Sequence, residues 1–288
     1  MASMRDIKRR KSSIQGTQQI TKAMKLVSTV KLQRARANAE NSKAYFDCMY
    51  ETVNSIVKRV GHIEHRYLLP GEASKKAVVV ITSNRGLAGG YNSNVIKLIT
   101  RHPQWQKDEL ILFCLGNKGR DAFLRYGYEV RDCGGDAVET PLYADAMAMS
   151  KMLLKSFEDG EVGEIHLAYT SFKNTVSHVP TLLKLLPVEL SEEEEEEQSK
   201  EAAAIMNFEP EDSEALDMII PKYITSLIYG AMMESSASEN GARMQAMDSA
   251  TSNAEEMISD LALKYNRARQ GSITQELTEI IAGAEALG

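Results

Sequence analysis

Proline is missing from residues 5–60, and Gly16 is the only glycine before Gly61. Across residues 213–287 the only breakers are Pro221 and four scattered glycines. Proline and glycine are the residues that end or weaken helices, so each terminal stretch is expected to run as one long helix. At the α-helical rise these would be rods of roughly 80 and 110 Å, far beyond an ordinary globular helix. Pro221 is expected to kink the second rod or delay its start. Aromatic residues make up only 6% of the chain, which fits thin helical seams better than a single large core. The 43% hydrophobic content still supplies at least one real core in 288 residues. The three cysteines, Cys48, Cys114 and Cys133, are odd in number and form no CxxC. That excludes a disulfide framework and a cysteine zinc site, and they read as reduced structural thiols. No run approaches eighteen uninterrupted apolar residues, which excludes a spanning helix, and no secretory apolar core opens the chain. The start is rich in Arg and Ser, as transit peptides are, but it flows without a break into the helical pattern and reads as mature sequence.

What is present is arranged unevenly. The net charge is -6, yet Arg5, Lys8, Arg9, Arg10, Lys11, Lys22, Lys25, Lys31, Arg34 and Arg36 are opposed up to that point only by Asp6. The amino end is therefore a cationic rod on an acidic protein. Along it Ile7, Ile14, Ile20, Met24, Val27 and Val30 are expected to mark the apolar stripe, with Ser, Thr, Gln or Lys at many positions between. Such a helix buries little alone. The last rod shows a three-four rhythm through Met244, Met247, Thr251, Ala254, Ile258, Leu261, Tyr265 and Ala268. That is heptad spacing with slim side chains, which permits close helix approach. The two ends are expected to pair as a helical hairpin; the alternative is two unrelated amphipathic helices, each on a globular body.

The middle follows a different period. Residues 77–82 (AVVVIT), 109–115 (ELILFCL) and 164–170 (EIHLAYT) are apolar runs without alternation, as expected for strands buried on both faces. Helical segments fall between them, around residues 93–100, 118–126 and 142–157. Alternating strand and helix predicts an α/β layer with a largely parallel sheet. Residues 175–188 are expected to add an edge strand, since Pro180 and Pro187 suit an edge. The six glutamates 192–197 that follow read as a solvated loop. The expected division is 1–60 first helix, 75–190 α/β domain, 191–211 acidic loop and linker, and 212–288 last helix.

No catalytic constellation emerges. The turn after the first strand, residues 83–92 (SNRGLAGGYN), stands where α/β proteins hold phosphates. Its glycine spacing matches neither GxGxxG nor GxxxxGK[ST], so a tight turn that needs glycine freedom competes with a nucleotide loop. His62 and His65 bracket Glu64 without further ligands to complete a zinc site. There is no GxSxG and no local Cys/His pair. No catalytic residue, cofactor or metal is expected. The cationic rod admits a second class, a nucleic-acid-binding helical hairpin with an α/β domain, though no aromatic precedes Tyr45 to stack bases. An acidic protein partner serves the same charge equally well.

Four segments carry a family resemblance. Residues 6–10 (DIKRR), 19–27 (QITKAMKLV), 83–92 (SNRGLAGGYN) and 268–281 (ARQGSITQELTEII) closely resemble the γ subunits of F-type ATP synthases, in order along the whole chain. The resemblance implies an α+β class with an α/β insert. In it the N- and C-terminal helices form a long antiparallel, left-handed two-helix coiled coil, with a Rossmann-like α/β domain between them. It also implies a non-catalytic rotary central stalk, turning inside a hexamer of α and β subunits and standing with the ε subunit on the membrane ring of c subunits. The lack of a separate transit segment and of the chloroplast cysteine insertion points to a bacterial enzyme, peripheral on the cytoplasmic face of the inner membrane.

The resemblance also implies roles for residues. Arg9, Arg10, Met24, Arg243, Gln245, Arg269 and Gln270 match positions that meet the β subunits. Ile280, Ile281, Ala284 and Leu287 match the tip that turns in a bearing. Phe208 and Glu209 match a short segment facing the c ring.

Overall fold

The computed structural model describes residues 4–60, 65–133, 136–175, 177–188 and 212–285. Helix α1 runs from Met4 to Val60 and α6 from Asp212 to Glu285. Between them lie β1 (Lys76–Ile81), α2 (Tyr91–Thr100), β2 (Leu110–Leu115), α3 (Asn117–Arg125), β3 (Glu129–Asp132), α4 (Asp136–Glu139), α5 (Tyr143–Glu158), β4 (Glu164–Phe172) and β5 (His178–Leu186). The chain forms two compact units, one of Met1–Thr29 with Arg243–Gly288 and the other of Val30–Ala242.

In the first unit the two terminal helices run antiparallel. Gln18 Nε2 donates to Glu255 Oε1 at 3.0 Å, the Thr21 and Thr251 hydroxyls meet at 2.8 Å, and Lys25 Nζ reaches Asp248 Oδ1 at 2.6 Å. As one number rises the other falls. On α6 the expected heptad is the seam: Met247, Thr251, Ala254 and Leu261 are buried, and Met244, Ile258, Tyr265 and Ala268 are half-buried.

On α1 the seam differs from the expected stripe. Thr21 and Ser28 are buried, and Ile7, Lys11, Ile14, Gln18 and Lys25 are half-buried. Ile20 is 63% exposed and Val27 57% exposed, and Val30, in the other unit, is exposed as well. Ile7 and Ile14 lie on the seam as expected, but Ile20 and Val27 each miss it by one residue, about 100° of rotation on a helix. The register is set by the close approach of slim side chains on α6, which a hydroxyl or a methyl fits better than a larger aliphatic group. Met24 stays half-buried beside the seam.

The second unit holds a five-stranded sheet of order β3-β2-β1-β4-β5. β1 pairs parallel with β2 and β4, and β2 pairs parallel with β3. β5 closes one edge, antiparallel to β4, with Pro180 opposite Thr170. Successive strand residues point to opposite faces, so the central strands feed two cores. Val79, Ile81, Ile111, Phe113, Ile165 and Leu167 meet α5 through Met149, Leu153 and Phe157, and α6 through Leu216, Ile220, Ile224 and Ile228. Val78, Val80, Leu110, Leu112 and Ala168 meet Val95 and Ile99 of α2 and Phe123 of α3. Each fully buried aliphatic side chain of this kind stabilises the fold by about 1.5–3 kcal/mol.

Two short elements, β3 and α4, carry no apolar run and were not expected. Pro221 lies inside α6, which neither starts late nor stops there. The Thr225 hydroxyl donates to the Pro221 carbonyl at 2.7 Å, four residues back.

Candidate functional site

The turn after β1 is a hydrogen-bonded staple. The Ser83 amide donates to Asn92 Oδ1 at 2.9 Å, and the Asn92 amide group donates to Ser83 Oγ at 2.7 Å, tying the end of β1 to the start of α2. The first amides of α3 are occupied from the same turn. Asn117 donates to Asn84 Oδ1 at 3.1 Å, Lys118 to the Ser83 carbonyl at 3.0 Å, and Gly119 to Thr82 Oγ1 at 2.9 Å. A phosphate cradle needs such amides free to face an anion. Here protein oxygens hold the first amides of α3, so that helix start offers no cradle, while at the start of α2 the Tyr91 amide donates to the Ala88 carbonyl at 3.2 Å and closes the turn. Two glycines are dictated by close packing: a Cβ at Gly116, where φ is +98°, would lie 2.1 Å from the Thr82 carbonyl oxygen, and one at Gly119 would lie 2.6 Å from Thr82 Oγ1.

The same staple presents a residue that motif matching missed. Leu87 has φ 62° and is 64% exposed. Leucine rarely adopts the left-handed region, and an exposed aliphatic side chain held there is a candidate contact. No sequence signal distinguished it from the glycines around it.

His65 is buried, with both ring nitrogens engaged. Nδ1 accepts the Tyr67 amide at 3.3 Å, and Nε2 faces Asp217 Oδ1 at 3.2 Å. Its neighbours His62 and Glu64 lie outside the described residues. Among the described residues no group of three or more His, Cys, Asp or Glu side chains is placed to hold a metal. A cavity of about 310 Å³ is lined by Phe113, Arg131, Cys133, Met152, Lys155 and Glu161, among others. Its Arg131 is hydrogen-bonded to Glu161 and sits 5.4 Å from the centre of the Phe113 ring. That hydrogen bond lowers the Glu161 carboxyl below the usual carboxylate range despite partial burial, so the cation is already matched.

The described residues singled out from sequence belong to the terminal helices. Arg9 and Arg10 are exposed near the start of α1, with Arg9 3.6 Å from Asp6. Around Met24 the outer face of α1 carries exposed Ile20, Leu26 and Val27 with Lys22. Arg243 and Gln245 are half-buried on α6, and Arg269 and Gln270 are exposed farther along it. Ile280, Ile281 and Ala284 are exposed as well, with Ile273 and Leu277. Leu287, Phe208, Glu209 and the glutamates 192–197 lie outside the described residues. Apolar side chains set among cations and left in water make a surface suited to protein partners that are both acidic and apolar. Among the described residues no helix is long and apolar enough to cross a membrane.

A model of the ATP synthase family matches residues 3–287. An ATP synthase gamma chain of Lachnoclostridium phytofermentans is 61% identical over 291 residues, all of both chains. A sodium-ion-specific ATP synthase gamma chain of Acetobacterium woodii is 42% identical across 99% of each chain. Among solved structures, a chain from the Euglena gracilis mitochondrial ATP synthase, in the assembly of OSCP, F1 and c-ring, aligns with a TM-score of 0.66 at 17% identity. It covers 99% of this chain and 94% of its own. A chain of the central stalk and c-ring of the Tetrahymena thermophila mitochondrial ATP synthase aligns at 0.58 and 24% identity, covering 80% of this chain and 99% of its own.

Proposed function

Because the chain belongs to the ATP synthase gamma chain family, we propose that it is a rotary central-stalk subunit that couples ion-driven rotation of a c ring to the catalytic cycle of β subunits. It is a subunit of a membrane-associated complex. In this proposal it carries no catalytic group of its own, its partners are α, β, ε and c subunits, and it works on the cytoplasmic face of a bacterial inner membrane without entering the bilayer.

The observation that carries the proposal is the antiparallel pairing of the two ends of one chain, through Gln18 with Glu255, Thr21 with Thr251 and Lys25 with Asp248. Both strands of the pair belong to one covalent chain, so a torque applied to one is resisted by the other. The seam uses hydroxyls and slim side chains, which keeps the pair narrow, while its outer faces keep cations and aliphatic groups for the surroundings. Arg9 and Arg10 meet acidic levers of β, and Met24, Arg243 and Gln245 lie where those levers press. Arg269 and Gln270 form a polar catch on β. Ile280, Ile281, Ala284 and Leu287 turn in an apolar collar that offers few directional bonds. Phe208 and Glu209 face the c ring, and Leu87 is added as an exposed apolar contact of the α/β unit. Nucleotide affinity changes at β because a lopsided partner presents different faces to different copies, which is coupling through differential contacts.

Reconstitution tests this directly. Purified α and β subunits are expected to hydrolyse ATP feebly until the chain is added, and rapidly afterwards. A turnover that the chain leaves unchanged, or salt-sensitive retention of the free chain on DNA, would reject the proposal.

A further inference from the structure

The connection between α2 and β2 carries the only tryptophan of the chain, and its indole sits between two imidazoles. His102, on the same connection, stacks on Trp105 with ring centres 4.1 Å apart and planes 27° from parallel. His166, on β4, meets the indole from the sheet at 5.0 Å and 63°. Trp105 packs, partly buried, against the core on that face, the cluster that includes Val95, Ile99 and Ala168. His166 is 9% exposed, and its Nε2 lies 3.0 Å from Glu164 Oε2. The same oxygen accepts a hydrogen bond from Lys76 Nζ at 2.5 Å. Lys184 is the register partner of His166 on β5. The charged and titratable groups that face His166 are thus Lys76 of β1, Glu164 of its own strand, Lys184 of β5 and His102 of the connection.

We propose that this cluster is a pH-responsive clasp, in which neutral His166 holds Trp105 and residues 101–109 on the sheet and protonation of His166 releases them. Glu164 stays ionised, because the hydrogen bonds from Lys76 and His166 outweigh the cost of its burial and bring its pKa to about 2. A neutral His166 therefore donates from Nε2, and a second proton goes to Nδ1. It creates a third cation beside Lys76 and Lys184, in a place nearly closed to water. Burial is the largest influence and lowers the His166 pKa; Glu164 opposes it, and the two lysines add to it. With the folded value depressed, the opened connection binds protons more readily than the closed one. The clasp is therefore fully formed above the ordinary histidine range and weakens as pH falls through and below it. Release stays local, because the central strands β1 and β2 beneath it are buried and bonded on both sides.

The full-length chain supplies its own probe. Trp105 emission is expected to shift to longer wavelength between about pH 8 and about pH 5. Backbone amides of residues 101–109, corrected for the intrinsic pH dependence of exchange, are expected to exchange at least about threefold faster at the acid end, while those of β1 and β4 keep their protection. His166→Gln abolishes both changes and His102→Gln keeps them. If His166→Gln folds poorly, two milder variants decide: Glu164→Gln, which removes the supporting anion, moves the midpoint to lower pH, and Lys184→Met moves it to higher pH. A wild-type chain without the transition, a transition that survives in His166→Gln, or shifts of the same sign in the two milder variants would overturn the proposal.

Discussion

At the scale of single residues, backbone packing and charge pairing make different demands. Gly116 is bound to its identity twice, by a φ of +98° and by the Thr82 carbonyl 2.1 Å from where a Cβ would stand. Gly116→Ala is expected to cost roughly 2–4 kcal/mol, combining strain at positive φ with displaced backbone. Urea unfolding checks it, and a loss under about 0.5 kcal/mol would show that the turn relaxes freely. Glu164 makes a pH prediction. Its pKa, about 2, lies below the ordinary value of 4.5, so the charged form is favoured by folding. Its stabilisation is complete above the unfolded value and disappears as pH falls through the folded one. Glu164→Gln is expected to lose on the order of 1 kcal/mol at neutral pH, and the gap from wild type is expected to close by about pH 2. Paired denaturation curves across that range read the difference. Neither residue was legible beforehand: Gly116 lies outside the glycine turn 83–92 that stood out in the sequence, and the Thr82 carbonyl that it must clear follows β1, a strand distant in the chain.

At the scale of elements, the terminal helices reverse a habit of reading amphipathic stripes by their largest aliphatic residues. Ile20 and Val27 face water, while Thr21 and Ser28, one position on, are buried against α6. Ile20→Ser is expected to change stability by less than about 0.5 kcal/mol, whereas Ser28→Leu, which adds volume to a closed seam, is expected to cost about 1–3 kcal/mol. Thermal unfolding of the two variants settles the order, and the reverse ranking would restore the aliphatic stripe as the seam. The α6 heptad was readable because its small and apolar residues repeat without interruption. The α1 heptad was not, because Lys11, Gln18, Thr21, Lys25 and Ser28 look like surface residues until a partner helix lies on them. Similarly, β1, β2 and β4 were legible from buried apolar runs, while β3 carries three charged residues among its four and joins the sheet through its pairing with β2.

At the scale of the whole molecule, the surface is what a rotor presents to its surroundings. Met24, half-buried beside exposed Leu26 and Val27, tests the proposed coupling role. A lysine there can place its ammonium in water with little cost to the fold, but it adds a charge where a partner must slide. In the assembled, membrane-bound complex, Met24→Lys is expected to retain ATP hydrolysis while ion pumping falls several-fold; parallel loss of both activities would contradict the coupling role. The sequence alone determined that both ends are helical, because they lack breakers, and that the middle is a parallel α/β layer, because its apolar runs are short and unalternating. It also determined the family, through motifs spread from one end to the other. Tertiary structure alone decided which face of α1 closes on α6, that oxygens of the turn after β1 receive the first amides of α3, and that Trp105 rests between histidines from two distant segments. Those outcomes depend on distances between residues far apart in the chain, and local periodicity, which reports only neighbours within a few turns, carries no information about them.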